Sequence, residues 1–152
     1  MRLVLVAVGR DRRGPASELA ELYQKRCPWR IDVVDIAPRN EGDTAKRIAL
    51  EAQKIRRALP DDAALVVLDE RGDNLSSQEL AKKVQAFQMK GRQVIAFVIG
   101  GADGLERSLV ESADVRLAFG RATWPHRFVR AMVMEQLYRV STILSGHPYH
   151  RE

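Results

Sequence analysis

Cysteine is nearly absent: Cys27 stands alone in 152 residues. One thiol closes no internal disulfide and builds no cysteine zinc site, so a reducing compartment is expected and the core must hold the fold. Cys27 precedes Pro28 and Trp29 at the expected end of a helix, a setting for packing; reactivity would need an activating neighbour. Long apolar runs are missing as well. Leu3 to Val8 is short, runs into Gly9-Arg10 and lacks a small-residue cleavage site, so it reads as a buried first strand rather than a signal or a membrane span. A cytoplasmic protein without membrane partners is expected. No repeat or low-complexity stretch is present. Phosphate-loop signatures are absent too: Gly100-Gly101-Ala102-Asp103-Gly104 has neither the G-x-G-x-x-G spacing nor a Lys-Ser/Thr ending, which argues against dinucleotide and nucleoside-triphosphate motifs. His147 and His150 have H-x-x-H spacing, but Gly146 and Pro148 disfavour a helix and no third ligand is in view, so no metal site is expected.

What is present fits one globular unit spanning residues 1–152. Hydrophobic residues make up 45% and charged residues 30%, ordinary values for a chain with a packed core. The net charge of +5 is concentrated at the end: Arg116 to Glu152 carry six arginines against two glutamates, while the first 115 residues hold 19 basic and 18 acidic side chains. Such an ending favours a polyanionic partner.

Apolar β-branched runs alternate with helical patterns. Leu3–Val8, Ile31–Ile36, Ala64–Leu68, Gln93–Ile99 and Val115–Phe119 read as strands; Ser17–Arg26, Thr44–Leu59, Ser77–Lys90, Leu105–Ala113 and Arg127–Leu144 read as helices. This alternation predicts an α/β fold with a mostly parallel five-stranded sheet flanked by helices. Ser76 and Glu79 have capping-box spacing. The last helix is apolar most of the way round, so it needs cover on more than one side, and a homodimer is expected to supply it.

Three segments carry candidate chemistry. Gly100 to Gly104 follow a continuously apolar strand, and in open α/β sheets ligands bind at strand carboxyl ends; a plain turn into the next helix is the alternative. Phe119 to His126 offer backbone donors and acceptors with aromatics, suited to a flat ligand, or make an ordinary loop. His126 opens the last helix, where the dipole favours anions, or serves as a simple cap. The ending His147-Pro148-Tyr149-His150-Arg151 holds residue types that stack on bases, bind phosphate or move protons, unusual for a chain end.

Together IGGADGL (99–105), LDERGDNLSSQEL (68–80), PHRFVR (125–130) and the terminal HPYHRE resemble the small SPOUT-class ribosomal RNA methyltransferases, within them the ribosomal large subunit methyltransferase H family, over the whole chain. The resemblance implies a C-terminal trefoil knot and an S-adenosylmethionine pocket made by three loops. Leu68 would end the strand of the first, Gly100 and Gly101 form the second, and Phe119, Gly120, Arg121, Ala122, Thr123 and Trp124 the third. It implies catalytic roles for His126 and Arg130 from the Pro-His-x-x-x-Arg pattern and for Tyr149, His150 and Arg151 from a tail that completes the site in the dimer. The implied reaction is methylation of N3 of a pseudouridine in large-subunit ribosomal RNA, in the assembled ribosome, with no DNA involved. The protein would align the nucleophile, take its proton and exclude water. His150, Tyr149 or His126 would handle the proton, and Arg130 and Arg151 would hold phosphate or developing anion. A non-catalytic ribosome-associated RNA-binding module and an α/β nucleotide hydrolase are the rival classes. The first needs no glycine-rich strand exit, and the second calls for a carboxylate metal cluster or phosphate loop that the sequence lacks.

Overall fold

The computed structural model describes residues 1–10 and 12–151; Asp11 and Glu152, the final residue of the HPYHRE ending, lie outside the described residues. In chain order the elements are β1 (Arg2–Val8), α1 (Pro15–Arg26), β2 (Arg30–Ile36), α2 (Thr44–Ala58), β3 (Ala64–Asp73) and α3 (Ser77–Met89). There follow β4 (Val94–Ile99), α4 (Arg107–Glu111), β5 (Val115–Leu117), α5 (His126–Ser145) and a 3-10 turn at Pro148–His150. Among the described residues the strands form one sheet, ordered β2-β1-β4-β3-β5, with every pairing parallel. Parallel neighbours need long crossovers, and the helices that make them cover both faces. The two-residue period of β1 divides the core accordingly. Leu3, Leu5 and Ala7 join residues of α1, α3 and α5 on one face, while Val4, Val6 and Val8 meet Ile55 of α2 and Leu109 of α4 on the other.

Local signals set the helix ends. Asp43 accepts from the Lys46 N–H at 3.2 Å and caps α2. Ser76 and Glu79 form the reciprocal box their spacing predicts, at 3.2 and 2.7 Å. Helix α5 stops at Gly146, whose φ of 72° is the left-handed conformation. There the Gly146 N–H donates to the Ile143 carbonyl and the His147 N–H to that of Thr142, a Schellman closure that Pro148 keeps from extending.

Several boundaries differ from expectation. The third strand continues to Asp73, because Leu68 and Asp73 both pair with Leu117 and residues 69–72 bulge out between them. Helix α4 begins at Arg107 rather than Leu105. Leu105 packs against the glycine turn, where a Cβ on Gly100 would lie 2.9 Å from its Cγ, and the Glu106 carboxylate is drawn to Arg56 at 3.0 Å. Strand β5 ends at Leu117, after which the Gly120 N–H donates to the Asn74 side chain at 2.8 Å.

The return from β5 positions the site. Strand β5 lies at a sheet edge, yet α5 starts against the end of β1, where a Cβ on Gly9 would sit 3.3 Å from Nε2 of His126. Residues 118–125 therefore cross the carboxyl ends of β3 and β4.

Candidate active site

Where that crossing segment meets the loops leaving β3 and β4, a cavity of about 850 Å³ opens, within the size range of small-molecule sites. Its apolar wall includes Leu68, Ile99, Leu117, Phe119 and Val129, and its turns are Gly100 to Gly104 and Gly120. Eight of the nine expected cofactor contacts line it: Leu68, Gly100, Gly101, Phe119, Gly120, Ala122, Thr123 and Trp124. Arg121 does not. His126 lines the cavity at the first turn of α5.

Each loop is tied to its neighbours. In the third loop Trp124 Nε1 donates to the Phe119 carbonyl at 2.9 Å, so that oxygen is already engaged, and Thr123 Oγ1 donates to Glu70 at 3.2 Å. The second loop is braced from α2. Arg47 pairs with Asp103 and donates to the Glu41 carbonyl at 2.8 Å, and Arg56 reaches both Glu106 and Ser108. Below the turn lies Glu51, a buried carboxyl on α2. A Cβ on Gly101 would stand 3.2 Å from Val8 Cγ1 and 3.4 Å from Glu51 Oε2, so glycine is what lets the turn settle on this floor. Burial pushes the Glu51 carboxyl above the usual carboxylate range, against the Arg39 backbone donor and the Arg47 charge, which pull it down.

Sequence reasoning missed the acidic part of the lining. Asp69 and Glu70 enter on the bulge of β3, and Asp103 and Glu111 from the other side. Asp103 is taken by Arg47, and Glu111 accepts from Arg107 at 2.8 Å. The available signal was adjacency, since Asp69 and Glu70 directly follow Leu68.

The remaining candidates fall elsewhere. Arg130 is buried one turn along α5 and does not face the cavity: its guanidinium meets Asp35 at 2.7 Å and the Gly9 carbonyl at 3.4 Å. An arginine so engaged ties α5 to the ends of β1 and β2 instead of presenting itself to an anion. The tail lies at the far end of α5, about 30 Å from His126 along a helix of 20 residues. There the Tyr149 hydroxyl bonds Tyr23 Oη at 3.2 Å and Glu135 Oε1 at 3.1 Å, its ring centroid is 4.6 Å from that of Tyr138, and Arg139 stacks over it. Burial first, then the Tyr23 bond and the Glu135 carboxylate, holds the Tyr149 phenol far above its ordinary range. In this seat the Tyr149 hydroxyl is held by Tyr23 and Glu135 of its own chain. His147 Nδ1 accepts from the Tyr149 N–H at 3.2 Å. His150 and Arg151 line a small separate cleft with Gln78 and Pro148, and among the described residues the buried His150 Nδ1 has no hydrogen-bond partner. A single chain therefore does not bring its tail to its own cavity. Cys27 is buried, and burial raises its thiol above the ordinary range, as packing requires. None of the described helices is long and apolar enough to cross a membrane.

The donor set suits an adenosyl amino acid. Glycine turns and apolar side chains give the flat base its walls, and Asp69 and Glu70 offer acceptors for ribose hydroxyls and a cationic amino-acid end. A family model described as a predicted SPOUT methyltransferase matches residues 1–150. Similar proteins named ribosomal RNA large subunit methyltransferase H include that of Rhodospirillum centenum, 48% identical over 99% of both chains. Those of Afipia carboxidovorans, 46% identical over 99% of both chains, and Paracoccus denitrificans, 45% identical over the whole of both, are further examples.

Proposed function

The chain belongs to the SPOUT methyltransferase family, and we propose that it methylates large-subunit ribosomal RNA with S-adenosylmethionine, at N3 of a pseudouridine in the assembled ribosome. The observation that carries this is the cavity at the carboxyl ends of β3, β4 and β5, enclosed by the loops that the motifs singled out. Relatives named for large-subunit ribosomal RNA, alike from end to end, support the substrate class, and the crossing of residues 118–125 over two strand ends is the kind of path a trefoil knot uses.

When bound, S-adenosylmethionine supplies a methyl group already activated on sulfonium. The chain's own work is alignment, proton removal and exclusion of water. Residues 100–104, 119, 120 and 122–124 would hold the adenosyl portion by backbone and apolar contact, with Asp69 and Glu70 directing its polar ends. His126, at the cavity edge, is positioned to accept or relay the N3 proton, and Arg130 keeps that helix end in place. Tyr149, His150 and Arg151 serve a second copy's cavity. A length of α5 separates tail and cavity within one chain, and an antiparallel pair of copies brings each tail to the other's cavity. Leu19, Leu22 and Phe128, 45%, 41% and 51% exposed, give such a pair apolar surface. His150 then adds a second imidazole and Arg151 a cation for the developing anion.

The test is calorimetric titration with S-adenosylmethionine followed by methyl transfer to ribosomes and to free RNA. Saturable binding with transfer to ribosomes is expected. No binding would favour a non-catalytic module.

A further inference from the structure

We infer that Arg10, Arg12 and Arg13, with Arg39 and Arg127 beside them, form a rim that grips the sugar-phosphate backbone of the RNA next to the cavity; this rests on the methyltransferase function proposed above. Strands β1 and β2 end side by side, with Val8 paired to Ile36, and the Gly9 N–H donates to the Ile36 carbonyl at 2.8 Å. The loop bearing Arg10, Arg12 and Arg13 and the loop bearing Arg39 thus leave the same edge of the sheet. That edge adjoins the cavity, because Gly9 lies against His126 and Arg127 follows it on the first turn of α5.

What the two loops and the start of α5 share at this edge is arginine. Arg10, Arg12, Arg13 and Arg39 are exposed. Among the described residues none of the five arginines has a salt-bridge partner. Nearby carboxylates are occupied: Asp35 holds Arg130, Glu41 faces Lys46, and Asp43 caps α2. Even with Asp11 counted, residues 10–13 carry three positive charges against one negative. Clustered like charges without counterions repel one another in the free protein, and a polyanion relieves that repulsion on binding. Arginine is the residue suited to it, since its planar fork meets phosphate oxygens in pairs. The cavity would then read the base while the rim fixes the strand that carries it.

The test compares two full-length triple variants that lose the same charge. One is Arg10→Ala/Arg12→Ala/Arg13→Ala at the rim. The other is Arg57→Ala/Lys90→Ala/Arg92→Ala at the opposite edge, where α2 and α3 end and β3 and β4 begin. Binding of S-adenosylmethionine, salt-dependent binding of purified bacterial ribosomes, and kcat and KM for ribosomes are measured for each. The rim variant is expected to keep the parent's cofactor affinity and kcat, bind ribosomes about tenfold or more weakly, and show a log-log salt slope smaller by about two to three. The control is expected within about twofold of the parent on every count. A rim variant with the parent's ribosome affinity and slope, or an equal loss in the control, would overturn the inference. Rim-dependent ribosome binding by a parent that neither takes cofactor nor transfers methyl would instead overturn the methyltransferase function and leave the rim standing.

Discussion

A carboxyl group lies under the glycine turn where water scarcely reaches. Glu51 holds its proton more tightly in the folded protein than in the unfolded chain, burial being the main cause. Between its ordinary unfolded value and its raised folded one, the native state binds more protons, so its contribution to stability is fullest in acid and declines as pH rises through that window. Glu51→Gln removes the charge and keeps an oxygen for the Arg39 donor. Its melting temperature relative to the parent should rise from about pH 4 to about pH 8; a difference constant with pH would show that the ionised form carries no penalty. Tyr149 poses the same question for a phenol. Tyr149→Phe keeps the ring contacts with Tyr138 and Arg139 but loses the bonds to Tyr23 and Glu135, an expected loss of about 1 kcal/mol in tail docking. Amide exchange at residues 147–151 should quicken several-fold, and the ultraviolet titration of the variant should lack one late-ionising tyrosine that the parent shows. Neither Glu51 nor Tyr149 could be given its surroundings from sequence, since a carboxyl on a helix and a tyrosine in a tail look solvated until the neighbours that bury them are placed.

At the scale of elements, α2 braces the glycine turn of residues 100–104, the second of the loops proposed to hold the cofactor. Arg47 and Asp103 are both partly exposed, so their pair should stabilise the fold by no more than about 1 kcal/mol. Its larger effect falls on the loop, because an unbraced turn must be ordered again each time a ligand binds. Asp103→Asn should therefore weaken S-adenosylmethionine binding about three- to tenfold while shifting the melting temperature little, and Arg47→Ala should add almost nothing on top of it in a double-mutant cycle. Full additivity in calorimetry would mean that the pair does not brace the loop. The element pattern itself was legible. Strand and helix order followed from apolar β-branched runs and helical patterns, and the α3 cap from the Ser76–Glu79 spacing. The bulge at residues 69–72 was hidden, because Asp-Glu-Arg-Gly reads as a loop in isolation and becomes an interruption of β3 only through the pairing of Asp73 with Leu117. Asp69 and Glu70 were missed with it.

For the whole molecule, the decisive quantity is the length of α5. Its apolar character most of the way round was plain in the sequence, and so were the residue types at its two ends. What the sequence could not express is direction: the Schellman closure at Gly146 turns the tail onto α1 and α5 of its own chain, a helix away from His126. A site assembled from one copy's cavity and another's tail has a consequence that a site within one chain lacks. Take a variant with a blocked cavity, Gly101→Leu, and a variant with a disabled tail, His150→Ala/Arg151→Ala, each inactive alone. In co-expressed mixtures half of the dimers pair the two, and each such dimer contains one intact cavity facing one intact tail. Methyl transfer should then recover to about a quarter of the parent's activity per subunit. With tail and cavity working within one chain, every subunit in the mixture would remain defective and no activity would return, and the length of α5 would have to be bridged by unwinding its last turns.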